Sequence, residues 1–214
     1  MRNALIPSLA LAIAALLPST AHAWWNGDWS ERAKITLNTS AQGLETKEAA
    51  SNVTVAVRLH SGNFDFTAAK EDGSDLRVIA GDDKTPLKFS IERFDSVNEL
   101  AVLWVQLPSV LPGTDKNVFY VYGGNAKAAA EADASGFDAS TVAALHFSDK
   151  NGGADALGLL KPATPPALEP NGLLAASAKL SGEAIVYALS DKAIVDAGNQ
   201  LIASVWVKLD EVQG

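Results

Sequence analysis

Between residues 33 and 122 apolar and polar side chains alternate at period two, in short runs separated by turn signals. That pattern leaves little freedom. A backbone with period two puts successive side chains on opposite faces, so each run is a strand with one face to bury. Val53, Val55, Val57 and Leu59 share a face, and Leu87-Lys88-Phe89-Ser90-Ile91-Glu92-Arg93 repeats the alternation. Leu100 to Leu107 is apolar on both faces apart from Gln106, which suits a central strand covered on each side. Val118, Tyr120 and Tyr122 alternate with Phe119 and Val121. The intervening Glu71-Asp72-Gly73-Ser74-Asp75, Gly81-Asp82-Asp83 and Leu111-Pro112-Gly113-Thr114-Asp115 are turn-forming. Many short strands with this punctuation predict an all-β fold: an antiparallel β-sandwich of jelly-roll type, with no βαβ pattern.

Gly123-Gly124 closes this region. Ala126 to Ala132 has a brief helix-forming composition, and Asp133 to Thr141 reads as a polar connector, which places a domain boundary near Asp138. A second, incomplete β-sandwich is expected over 142–214, opening with Val142 to Phe147. The loop that follows contains Pro162, Pro165, Pro166 and Pro170, through which no strand is expected. Further strands are predicted near Lys179 to Leu189 and Gln200 to Leu209. A chain stopping just after that last strand would leave its domain truncated, with unpaired edges.

Residues 1–23 read as an export signal. Arg2 supplies the positive start, Ala4 to Leu17 the apolar stretch, and Ala21-His22-Ala23 small residues at both positions a signal peptidase reads. The apolar run is shorter than the roughly 20 residues a membrane helix needs. The mature chain is therefore expected to start at Trp24 and to be periplasmic or secreted, with membrane anchorage only through segments this chain does not contain. Its formal net charge of −8 becomes more negative once Arg2 is removed. An acidic surface repels phosphate backbones, so nucleic acid is excluded as a partner. With no cysteine, disulfides, thiolate metal sites and a cysteine nucleophile are excluded too. A hydrophobic core must hold the fold, and a 48% hydrophobic composition supplies it.

The candidate ligand-binding residues are Trp24, Trp25 and Trp29, in the cluster Trp24-Trp25-Asn26-Gly27-Asp28-Trp29. Exposed indoles offer flat apolar faces to sugar rings. The competing reading has Trp29 plugging the base of the sandwich while Trp24 and Trp25 pack on an edge strand. Asp72, Ser74 and Asp75 supply oxygen ligands within one turn but lack the ligand count of a calcium loop, and Asp82-Asp83 is read in the same way. His60 and His146 have no second histidine at ligand spacing. No Gly-x-Ser-x-Gly elbow and no glycine-rich phosphate loop is present. Lys88, Glu92 and Arg93 read as a solvated strand face. No catalytic residue, no metal site and no cofactor is indicated.

Several segments, taken in order, carry a family resemblance. They are Trp29-x-x-Arg32-x-x-Ile35, Val55-x-Val57-x-Leu59, Asn63-Phe64-Asp65-Phe66 and Asp72-Gly73-Ser74-Asp75-Leu76-Arg77. Ile91-Glu92, Ala101 to Val105, Leu111-Pro112-Gly113-Thr114-Asp115 and Tyr120-Val121-Tyr122-Gly123-Gly124-Asn125 follow. Together, from about Trp24 to Phe137, they resemble DUF2341, a bacterial domain of unknown function in exported proteins. Residues 142–214 resemble the N-terminal part of a laminin-G-like, concanavalin-A-like domain, through Leu145-His146-Phe147, Lys179-Leu180-Ser181-Gly182 and Ala203 to Lys208. The resemblance implies an arrangement seen at the periplasmic N-terminus of MotA/TolQ/ExbB-type proton channel components. It implies no catalytic residue.

The expectation is a non-catalytic recognition region of a cell-envelope protein, with a protein or glycan partner. A secreted or surface carbohydrate-binding protein is the alternative, and a polysaccharide-acting enzyme would require paired carboxylates across a cleft.

Overall fold

A computed structural model describes residues 24–131, 136–147, 152–170, 172, 176–189 and 202–209. Residues 1–23, expected to be an export signal, lie outside them. Six strands form two three-stranded antiparallel sheets. Sheet A has the order β1 (Glu31–Leu37), β6 (Asn117–Gly123), β3 (Arg77–Ala80); sheet B has β2 (Ala50–His60), β5 (Leu100–Val110), β4 (Phe89–Asp95). The chain passes from one sheet to the other at every connection except the β4–β5 hairpin. This is the antiparallel β-sandwich predicted from the alternation.

Period two delivers the core. Ala33, Val78, Phe119 and Val121 from sheet A meet Val57, Leu59, Phe89, Leu103, Val105 and Leu107 from sheet B. Phe64 and Phe66, from the loop after β2, close one end, with Phe66 packed 5.3 Å from Phe94. Leu59, Leu103, Val105 and Val121 have no exposed surface. β3 lacks a clear alternation and was not expected; its apolar run Val78-Ile79 is buried on both faces.

Most acidic turn residues serve the backbone. Asp72 Oδ1 accepts from Ser74 N, Asp82 Oδ1 from Lys84 N and Thr85 N, Asp95 Oδ1 from Asn98 N, and Asp138 Oδ1 from Ser140 N. Such Asx turns are the backbone reason for aspartate at these places. Gly73, at φ +68°, lies so close to Phe94 that an added Cβ would stand 2.7 Å from its ring.

After β6 the structure departs from expectation. Residues 126–131 form no helix. Val142 to Phe147 is not a strand; it packs against the sandwich. β7 (Leu160–Pro162) and β8 (Leu168–Glu169) run through the proline-rich stretch where none was expected. Pro162, lacking an N–H, stands opposite Tyr187 at a non-hydrogen-bonded position, since it is the next residue, Ala163, whose N–H donates to the Val186 carbonyl at 2.8 Å. β7 pairs with β10 (Tyr187–Leu189), and β8 with β9 (Ser177–Ala178). Residues 202–209 are irregular and exposed, Trp206 at 84%. Among the described residues no helix is long and apolar enough to cross a membrane.

Two expectations follow. Leu103→Ala, in the middle of the central strand, should lower unfolding free energy by about 2–5 kcal/mol in urea titration, whereas Val97→Ala on the exposed hairpin should stay within about 0.5 kcal/mol. Asp65, Asp72, Asp82, Asp95 and Asp138 are held below the usual carboxylate range by hydrogen bonds from their own turns, Asp95 mainly by Asn98 and Arg93. A lowered folded-state pKa contributes stability that is present above the unfolded value and is lost as pH falls through the folded one. Thermal melts should fall steeply below about pH 4, with Asp95→Ala flattening the fall.

Candidate functional site

The outer face of sheet A follows from its register. Arg32 on β1 and Arg77 on β3 both stand opposite Tyr122 on β6, and Lys34 and Ile79 opposite Tyr120. Alternation turns these side chains away from the core. The segment Trp24–Trp29 covers Arg32, Arg77 and Tyr122. Trp29 is buried, and its indole Nε1 donates to the Asp75 carbonyl at 2.7 Å. Trp25, half-buried, lies 4.9 Å from the Trp29 ring and donates its backbone N–H to the Tyr122 hydroxyl at 3.1 Å. Trp24 is 41% exposed and meets Tyr122 edge-on at 5.6 Å. Of the three tryptophans named from sequence, one is core, one is a cover, and one presents ring surface to solvent.

A polar network underlies this cover. The Arg32 guanidinium lies 5.1 Å from the Trp24 ring centre and 4.7 Å from that of Tyr120, and donates to Asp83 Oδ2 at 2.7 Å. The Tyr122 hydroxyl donates to the other oxygen, Asp83 Oδ1, at 2.5 Å. Burial, joined by that carboxylate, pushes the Tyr122 hydroxyl up, and its hydrogen bond to Tyr122 keeps Arg32 more firmly charged. Asp83 reaches this position from a backbone at φ +55°, a left-handed conformation that aspartate tolerates better than most residues. Cation–π contacts of this kind add about 0.5–2 kcal/mol. Arg77 behaves similarly: its guanidinium lies 5.3 Å from the Trp29 ring and pairs with Glu131.

The turn Asp72-Gly73-Ser74-Asp75 is not arranged around a cation. Asp72 bonds within its own turn. Asp75, fully buried, accepts from Lys70 N through Oδ1 and from Gly124 N and Asn125 N through Oδ2, at 2.7–3.0 Å. Asp82 and Asp83 likewise serve Thr85 and Arg32. Among the described residues no group of three or more histidine, aspartate or glutamate side chains gathers to hold a metal. His60 Nδ1 accepts from Gly62 N, a local turn contact.

A second cluster lies on the outer face of sheet B. The pairing of β4 with β5 slips between Ile91 and Arg93, a bulge with Glu92 as the extra residue. Glu92 was expected on a solvated face; its side chain is only 7% exposed. Its Oε2 accepts from Trp104 Nε1 at 2.7 Å and its Oε1 lies 3.3 Å from His146 Nδ1. The His146 ring stacks 6.0 Å from Trp104, and Phe137 packs against both. Sequence alternation missed this because a bulge breaks period two and His146 is remote in sequence. The one signal was Leu100 to Leu107 being apolar on both faces.

An open depression of about 290 Å³ sits at the other end of sheet A, where β6 begins, lined by Leu87, Leu107, Leu111 and Val118 with Lys116. It is at the lower limit of small-molecule sites.

Residues 72–157 match the family model described as Domain of unknown function (DUF2341). The matched span runs from the Asp72 turn through β6 and Phe137 to Leu157, beyond the boundary read near Asp138. No significant match is found to a curated protein or to a solved structure.

Asp75→Ala should prove severe. It leaves three sheltered backbone N–H groups without acceptors, each worth about 1–3 kcal/mol, so a loss above about 3 kcal/mol is expected in chemical denaturation. Asp75→Asn, which keeps one acceptor oxygen, should recover part of it.

Proposed function

We propose that this chain is a non-catalytic periplasmic recognition region of an exported cell-envelope protein, with the outer face of sheet A as its recognition surface. One observation carries the reading: the sheltered carboxylates that chemistry would draw on are already committed to structure. Asp75 is bonded to backbone amides, Asp83 to Arg32 and Tyr122, and Glu92 to Trp104 and His146. What sheet A offers outward is a braced surface: the exposed part of Trp24, the half-buried Tyr120 ring and the exposed Lys34, which stands opposite Tyr120 in the register. A surface fixed by Arg32–Asp83 loses little freedom on binding, which favours recognition.

The wider setting we infer is the N-terminal part of a MotA/TolQ/ExbB-type proton channel component, in which a laminin-G-like domain follows the sandwich. That setting rests on the order of the family-like segments. Carbohydrate binding is the second reading, and the 41% exposure of Trp24 favours it; the burial of Trp29 and the partial burial of Trp25 leave one indole rather than a platform of three.

The test is site-specific photo-crosslinking in a Gram-negative host, with the photoreactive residue at Trp24, at Lys34 and at the remote hairpin residue Val97. Discrete protein adducts from positions 24 and 34 but not 97, on a periplasmic chain whose mass begins at Trp24, support recognition of a protein. Co-sedimentation with an insoluble polysaccharide, lost in Trp24→Ala, would move the assignment to glycan binding. Absence of both would defeat the recognition reading.

A further inference from the structure

The segment 136–147 touches the molecule on two sides. Towards sheet B, Thr54 Oγ1 donates to the Gly136 carbonyl at 3.1 Å and Gln106 Nε2 to that of Phe137 at 3.5 Å. Gly136 approaches so closely that an added Cβ would lie 2.7 Å from Ser90 N and Trp104 O. Towards the residues that follow, Ala144 N donates to Asp155 Oδ1 at 2.7 Å, and the Ala144 carbonyl accepts from Ala156 N at 2.8 Å. The segment therefore joins the sandwich to the part of the chain that carries β7 and β10. Its last fastening to sheet B is His146.

We propose that His146 and Glu92 form a proton-operated latch: the imidazolium holds segment 136–147 closed on sheet B, and the neutral imidazole lets it lift. The pair is sheltered, with side chains 12% and 7% exposed, so solvent and salt screen it little. Protonation of the imidazole adds the direct attraction between imidazolium and carboxylate at 3.3 Å, which a sheltered setting of low dielectric makes stronger than it would be in water. Once the imidazole loses its charge, a sheltered carboxylate is left with the Trp104 indole, the state in which an enclosed ion is least well compensated. The behaviour of Glu92 agrees with this. Burial pushes its carboxyl up, yet the hydrogen bond and charge of His146, with the Trp104 indole, hold it below its ordinary value.

The charged and titratable groups around this contact come from several elements. β4 presents Glu92 to it, with Arg93 beside it in the bulge and bonded to Asp95 Oδ2 at 2.8 Å. β5 presents Trp104, and the segment itself Phe137. Arg58 stands outward on β2 opposite Val102, and exposed Lys88 accepts Gln106 N–H through its carbonyl. Asp138 is turned to Ser140 and Thr141, and Asp155 to Ala144 and Leu159. Of these side chains, imidazole is the type whose charge changes between about pH 5 and pH 8. The bulge at Glu92 matters for the same reason: without the extra residue, alternation would not bring this carboxylate and Phe94 to opposite faces of one short strand.

The experiment is amide hydrogen exchange on the full chain, read as protection factors for residues 138–147 at about pH 5.5 and about pH 8, the interval over which histidine loses its charge. The latch predicts at least about a tenfold fall in protection between the two, while amides of β5 stay unchanged. His146→Gln and Glu92→Gln should each abolish the difference, and His146→Lys, which keeps a charge at both values, should hold the segment closed throughout. His60→Gln should leave the wild-type profile in place. Equal protection at both pH values in the wild type overturns the proposal. A fall that persists in His146→Gln and Glu92→Gln overturns it as well, because the loss would then belong to another group.

Discussion

Asp75 is enclosed completely and its two oxygens are held by the backbone N–H groups of Lys70, Gly124 and Asn125, while its own carbonyl takes the Trp29 indole. Through this residue the loop before β3, the exit of β6 and the tryptophan segment before β1 are fastened at one point. A buried carboxylate is tolerable only with all its acceptor capacity used. Two of the backbone groups it satisfies, those of Gly124 and Asn125, are ones that β6 leaves orphaned as it ends. The rest of sheet A depends on this knot: β3 is short, and it is paired to β6 just beyond it.

Both sheets are covered on their outer sides, and by different means. Sheet A carries the tryptophan segment, braced by Arg32 and Asp83. Sheet B carries the 136–147 segment, centred on Trp104. A two-sheet sandwich usually faces water on its outer surfaces. Here the tryptophan cover explains why Tyr122, outward by register, has no exposed surface.

Much of the fold was legible because burial on one face forces period two. Val53 to Leu59 and Asn117 to Tyr122 lie within β2 and β6, and the doubly apolar Leu100 to Leu107 is the central strand of sheet B. β3 escaped because a four-residue strand buried on both sides shows no alternation. The residues from Val142 to Phe147 read as a strand because most of them are apolar, yet their contacts are not a sheet ladder: His146 stacks on Trp104 and Ala144 N–H donates to Asp155. Prolines 165 and 166 do interrupt the later region, yet Pro162 sits in a strand without loss, since composition alone cannot tell which positions of a strand donate to its neighbour.

The site divides along the same line. From sequence alone came the tryptophan cluster as the place to look, the hydrogen-bonding use of aspartate in turns, and the limits set by acidity and absence of cysteine, because these follow from local chemistry and composition. Only the tertiary structure decided which indole is core and which is exposed, and that Asp83 meets Arg32 across 51 residues. It alone brought His146 onto Glu92. Such pairings depend on register and on a bulge in β4, and neither leaves a mark in the order of residues when the partners lie so far apart along the chain.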